Sequence, residues 1–181
     1  LCRNLIRMVI EDKLRENAAL YPDKVALVCG EKSLTYRQLY QAIKDKADSM
    51  GDIRGCLIPI VAYSTVDFFI TYFALHLTGA VAVPLHKDIP AKKLNDYAET
   101  LEQGIVPEEV ADILFTTGTT GNAKAVMISY QAIIANAENL VLSQGFSHDV
   151  TFIINGPLNH IGSLSKVYPT IYVGGTIHVI D

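Results

Sequence analysis

The sequence predicts an α/β fold, a layered sheet with flanking helices. Three observations predict it. Short β-rich runs alternate with stretches of helical periodicity along the chain. Ser and Thr stand where helices should start and Gly where they should stop. No internal repeat or low-complexity tract breaks the alternation.

The elements follow in order. Residues 1–20 are expected to form a helix with Leu5, Met8 and Val9 on its apolar side, broken at Tyr21-Pro22-Asp23. Lys24 to Cys29 is a short strand, and Gly30-Glu31-Lys32 turns into Ser33-Leu34-Thr35. Thr35 and Gln38 have the spacing of a capping box. Behind them Tyr36, Leu39, Tyr40, Ile43, Ala47 and Met50 fall at offsets 0, 3, 4, 7, 11 and 14, one face of a helix ending near Gly51.

Ile53 to Leu85 is long and apolar, with Arg54 and Asp67 as its fixed charges. A membrane helix needs about 20 such residues, so length alone permits one. The punctuation inside the stretch argues otherwise. Cys56 to Tyr63 is β-rich; Ser64-Thr65 offers an N-cap, and Asp67 follows where the helix dipole favours an acid. Gly79 stops the helix, and Ala80 to Leu85 reads as a strand. The expected unit is βαβ.

Pro90 to Leu101 is expected to be a helix and Glu102 to Glu109 a polar loop. Val110 to Phe115 is a strand, then a Thr/Gly-rich loop, then a strand over Ala125 to Ile128. Ser129 caps a helix whose face includes Ile133, Ala137, Leu140 and Val141, ended by Gly145. Thr151 to Ile154 is a strand, Gly156-Pro157 opens a loop containing His160, a helix with Pro169 near its end runs to Gly174-Gly175, and Thr176 to Ile180 is the last strand.

Composition excludes several functions. Half of the 181 residues are apolar, enough for a sizeable core. The net charge is −4 and Lys92-Lys93 is the longest basic run, so there is no footprint for nucleic acid or for a polybasic membrane contact. Cys2, Cys29 and Cys56 are scattered, which suits a reducing compartment rather than a disulfide framework or zinc site. The first 15 residues mix charges through their apolar positions, unlike a signal peptide. The expected location is cytoplasmic.

The loop Thr116-Thr117-Gly118-Thr119-Thr120-Gly121-Asn122-Ala123-Lys124 carries the chemistry. It packs four Thr, two Gly and one Lys into nine residues between two strands. Gly118 and Gly121 leave no Cβ to hold phosphate oxygens away. Successive backbone N–H groups can form an anion nest, the hydroxyls donate further hydrogen bonds, and Lys124 adds a point charge for the outer phosphates. A plain hairpin turn would use the same residue types, though seldom so many together. The Walker loop is excluded by spacing: Gly118 and Gly121 are three apart, and Ala125 follows Lys124.

The segment from Asp112 to Val126 resembles the signature loop of the AMP-dependent synthetase and ligase family, the adenylate-forming acyl- and aryl-CoA synthetases, luciferases and peptide-synthetase adenylation domains. Ala123 stands where Pro is usual and Ala125 where Gly is usual, which loosens the turn and adds a Cβ beside Lys124. Pro22 to Leu27 resembles the family's opening strand, Leu34 to Leu39 its first core motif, and Gly79 to Leu85 its second. Gly156 to Leu164 resembles its Pro-Leu-x-His-x-x-Gly segment in the CoA-ligase style, and Gly174-Gly175-Thr176 its turn before the next strand. Between Leu101 and Val110 the family carries several tens more residues. The resemblance implies that residues 1–181 are part of the large N-terminal AMP-binding domain, cut after Asp181, without the small C-terminal domain.

The implied reaction turns ATP and a fatty or aryl carboxylic acid into an acyl-adenylate and pyrophosphate; CoA then takes the acyl group as a thioester and AMP leaves; Mg²⁺ accompanies the ATP. Thr116, Thr117, Gly118, Thr119, Thr120, Gly121 and Lys124 would hold the phosphates, and His160 would orient the acyl end. These 181 residues alone are expected to be inactive. The alternative is a non-catalytic α/β domain that binds phosphate ligands or pairs with another chain. His76 reads as a satisfied core histidine, and His86, His148 and His178 have no metal-ligand spacing. Asp67, Tyr36 and Tyr40 read as capping and core residues.

Overall fold

Ile10, Leu14 and Asn17 recur at helical spacing and are buried, so the first helix turns one stripe inward over Ile10–Leu20 (α1). The computed structural model describes residues 8–102, 106–116 and 124–180. Leu5, expected on that helix, lies outside them. Val9 caps α1 instead of packing within it: its N–H donates to Asp12 Oδ2 at 3.0 Å, and Met8 is 37% exposed.

Strand β1 (Val25–Cys29) pairs antiparallel with β2 (Lys32–Thr35). The expected capping box forms at the start of α2 (Tyr36–Ser49). Thr35 Oγ1 accepts from Gln38 N–H at 3.3 Å, and Thr35 N–H donates to Gln38 Oε1 at 2.9 Å. Tyr36, Leu39 and Ile43 are fully buried, with Tyr40, Ala47 and Met50 packed against them.

The βαβ expectation holds. Strand β3 (Leu57–Val61) runs parallel to β4 (Val81–Leu85), and α3 (Val66–Thr78) joins them. Thr65 Oγ1 caps α3 by accepting from Phe68 N–H at 3.3 Å. Gly79 ends it at φ 75°, where a side chain would be strained. Pro59 is tolerated because β3 is an edge strand. Among the described residues, no helix is long and apolar enough to cross a membrane.

The remaining elements are α4 (Ala91–Glu102), β5 (Val110–Thr116), β6 (Lys124–Ser129), α5 (Tyr130–Gln144), β7 (Thr151–Ile154), α6 (Ile161–Tyr172) and β8 (Thr176–Val179). Ser129 caps α5 through Ala132 N–H at 3.1 Å, as its position in the sequence predicts.

The strands form two four-stranded mixed sheets, ordered β2-β1-β8-β7 and β3-β4-β5-β6. β8 pairs parallel with both β1 and β7, so the last strand stitches the first hairpin to the C-terminal part. One large core joins both sheets through α1, α2, α3, α5 and α6. On the opposite face of the second sheet, Val81, Val83, Leu85 and Ile113 pack against Tyr97 and Leu101 of α4. There the Tyr97 ring stacks on Phe115 at 3.7 Å between centroids. With both faces covered, β4 is buried throughout.

Candidate functional site

The alternation of side chains along β5 decides what faces the cleft. Asp112, Leu114 and Thr116 share one face, toward the large core, while Ile113 and Phe115 face α4. Thr116 is the last residue of β5 and Lys124 the first of β6, and the two are direct partners in the antiparallel register. The Thr/Gly loop therefore closes a β-hairpin. Its ends, Thr116 and Lys124, are exposed. Thr117, Gly118, Thr119, Thr120 and Gly121 lie outside the described residues.

His160 was expected inside a loop. It is the N-cap of α6, in extended backbone. Its carbonyl accepts from Ser163 N–H at 3.1 Å and Leu164 N–H at 3.2 Å, so it begins the helix, and its ring is left free of capping duty. The loop before it approaches the helix closely. A Cβ on Gly156 would lie 2.8 Å from Ser163 Oγ, inside contact distance, so a larger residue there would have to turn the Ser163 hydroxyl aside.

A cavity of about 450 Å³ separates the end of β5 from the start of α6. Leu114, Val126 and Ile128 supply an apolar wall, Thr116 and His160 polar groups, and Gly162 and Ser163 the first turn of α6. That helix end carries the positive end of the dipole, which favours an anion. So the structure brings Thr116 and His160 to one cavity. Lys124 stands across the hairpin from Thr116 and is not in the lining. No Asp or Glu lines it among the described residues.

Asn159 was missed from sequence. It lines this cavity and a neighbouring one of about 200 Å³, which also holds Ser64, His86 and Lys87. Its shielded Oδ1 has no hydrogen-bond partner among the described residues. Nothing in its local sequence distinguishes it from a turn asparagine. No group of three or more His, Cys, Asp or Glu among the described residues could hold a metal ion.

Below the cavity lies a buried polar array. His76 Nδ1 is 2.8 Å from Glu11 Oε1, and its Nε2 is 3.0 Å from Asp112 Oδ1. Tyr72 Oη donates to Asp112 Oδ2 at 2.8 Å, and Tyr168 Oη lies 2.9 Å from Tyr72 Oη and 3.2 Å from Asp112 Oδ2. Burial alone would lower the His76 pKa, but the Asp112 and Glu11 carboxylates on either side raise it to about 10. Burial, with Asp112 beside them, holds the Tyr72 and Tyr168 hydroxyls well above the usual phenol range, so both stay protonated donors. His76 is thus the satisfied core histidine read from sequence. Glu11 and Asp112, its partners, were missed; an acid in the middle of the apolar run Val110 to Phe115 was the available signal.

The AMP-binding enzyme family matches this chain over residues 14–102 and 92–181. The chain is 26% identical to a 2-succinylbenzoate–CoA ligase of Bacillus cereus, over 92% of its own length and 42% of that protein. It is 24% identical to tyrocidine synthase 3 of Brevibacillus parabrevis, over 94% of its length and 3% of that protein. The ligase alignment runs over 204 positions, more than the 181 residues present, so the relative carries residues with no counterpart here. In structure the chain is similar to the N-terminal subdomain of Klebsiella oxytoca NpsA in complex with 3-hydroxyanthranilyl-AMSN. The TM-score is 0.84 at 20% identity, covering 96% of this chain and 54% of that one. It is similar also to VinN, at TM-score 0.85 and 16% identity, covering 94% and 56%. The chain spans about half of these structures and less than half of the ligase. The structures share the fold, and the family match spans nearly the whole chain: this protein belongs to the AMP-binding enzyme family, the adenylate-forming synthetases and ligases.

Proposed function

We propose that this chain is the phosphate-binding part of an ATP-dependent acid–thiol ligase, one that activates a carboxylic acid as its adenylate and transfers the acyl group to CoA. The observation that carries the reading is the cavity between Thr116 and His160, with Lys124 opposite Thr116 at the base of the hairpin. An apolar wall of Leu114, Val126 and Ile128 suits the body of the acid, and the start of α6 suits its carboxylate.

Thr116, Thr117, Gly118, Thr119, Thr120, Gly121 and Lys124 hold the β- and γ-phosphates, neutralising charge as the carboxylate attacks the α-phosphorus and the α–β anhydride bond breaks to release pyrophosphate. His160 orients the carboxylate at the mouth of the cavity. Mg²⁺ would accompany the ATP and would supply further neutralising charge at its phosphate oxygens. An aryl acid has more support than a fatty acid, since 2-succinylbenzoate and 3-hydroxyanthranilyl groups appear among the relatives and neighbours. The sparse cysteines support a reducing, cytoplasmic setting.

The 181 residues do not complete adenylation by themselves, because they span 42% of the CoA ligase they resemble. ATP–pyrophosphate exchange with a panel of aryl and fatty acids tests this, and sustained exchange by the isolated chain would overturn it. Calorimetric titration with Mg·ATP tests the phosphate reading. Equal affinity for the parent chain and Lys124→Ala would overturn that assignment and favour a domain that only pairs with other protein.

A further inference from the structure

The buried array ties together elements that carry the two sides of the cavity. Asp112 sits on β5 and Tyr168 on α6. From Asp112, β5 continues for four residues to Thr116, about 13 Å at strand rise. From Tyr168, α6 runs back eight residues to His160, about 12 Å at helix rise. The two arms match in length. They are bonded at the closed end, 3.2 Å apart, and the cavity opens between their far ends.

We infer that Asp112 and Tyr168 are positioning residues: with Tyr72 and His76 they form a tie between β5 and α6 that sets the gap between Thr116 and His160.

Apolar packing would hold the same elements together, but without directional register. A buried ionic array often adds little net stability over apolar packing, and in some proteins it serves to fix geometry instead. The bonding supports that role. Asp112 is fully engaged, with Oδ1 on His76 and Oδ2 on the hydroxyls. Two hydroxyl protons serve three oxygen contacts, so Tyr72 donates to Asp112, and Tyr168 shares its proton between Tyr72 Oη and Asp112. Removing the Tyr168 hydroxyl therefore breaks the α6 side of the tie and leaves the α3 side intact. The far end of the array is looser: Glu11 Oε2 is buried and has no partner among the described residues. The inference rests on the reading of the cavity as the phosphate and acyl site.

Amide hydrogen exchange on the 181-residue chain tests it, with Tyr168→Phe compared against Ile43→Val, a core truncation on α2. Tyr168→Phe is expected to speed exchange about tenfold or more at Leu114 to Thr116 and at Ser163 and Leu164, the size of a lost charge-assisted hydrogen bond. Exchange on β1 and α2 should not change. Ile43→Val should not reproduce the pattern. Uniform acceleration, or none at those two ends, would overturn the tie. Mg·ATP titration of the same samples separates the two readings. A parent chain that binds ATP with Lys124 dependence, but shows no local change in Tyr168→Phe, keeps the phosphate site and loses the tie. Local change without ATP binding supports the tie and removes the phosphate reading.

Discussion

His76 Nε2 lies 3.0 Å from Asp112 Oδ1, with both side chains shut off from solvent. The contact joins α3 to the strand that leads into the Thr/Gly loop. Its strength depends on protonation. The His76 pKa is raised from 6.5 to about 10, because the flanking carboxylates outweigh the burial that alone would lower it.

The sign of the pH dependence follows. The folded value lies above the unfolded one, so the stabilisation is complete below pH 6.5 and is lost as pH rises through about 10. Urea midpoints measured across this window are expected to fall as pH rises. His76→Leu should lose this slope and be less stable by about 3–5 kcal/mol at neutral pH, because it strands two buried carboxylates. A slope of the same size in His76→Leu would assign it to other groups.

Two glycines should differ in their tolerance of alanine. At Gly156 the added Cβ meets only the Ser163 hydroxyl, at 2.8 Å. At Gly175 it meets Val150 Cγ1 at 2.5 Å and the Val150 carbonyl at 2.9 Å. A hydroxyl can rotate away and a backbone carbonyl cannot. Gly156→Ala is expected to cost about 1 kcal/mol and to be partly relieved by Ser163→Ala; Gly175→Ala should cost about 3 kcal/mol. Chemical denaturation of the four variants decides, and equal losses at the two glycines would contradict the packing described.

Thr35→Ala removes the acceptor for Gln38 N–H at the start of α2. The expected loss is about 1 kcal/mol by thermal or urea unfolding. Thr35→Ser, which keeps an oxygen there, should recover most of it.

Lys124 is exposed at the start of β6. Lys124→Ala should leave unfolding free energy within about 0.5 kcal/mol of the parent, as for other surface positions. Affinity for Mg·ATP should nonetheless fall, and more steeply at low ionic strength, where a point charge acts furthest. A large stability change with no change in affinity would make the residue structural.

Local signals in the chain proved informative. The capping box at Thr35 and Gln38, the caps at Thr65 and Ser129, and the stop at Gly79 all formed where spacing placed them. These features depend on bonds within one helical turn. The stripe on α2 was legible for the same reason. Met8 and Val9 read as helical because they are apolar, whereas the helix starts at Ile10 and Val9 N–H is satisfied by Asp12 as a cap. Of the cavity lining, Thr116 and His160 were legible from the Thr/Gly loop and the Gly156 to Leu164 segment, while Lys124, read from the same loop, stands outside the lining. Asn159 was not legible, because an unsatisfied amide is visible only once its neighbours are in place.

By itself, then, the sequence determined where α2, α3 and α5 begin, where α3 and α5 stop, and that a βαβ unit stands in place of a membrane span; it also marked the Thr/Gly loop as the candidate for phosphate contact. Each of these is set by backbone propensity, capping and side-chain type over a few residues. Only the tertiary structure decided that the strands divide into two sheets, with β8 between β1 and β7. It alone placed Glu11, His76 and Asp112 in one buried array, from positions 65 and 36 residues apart. Such pairings depend on packing between distant segments and on shielding from water, which no local window contains.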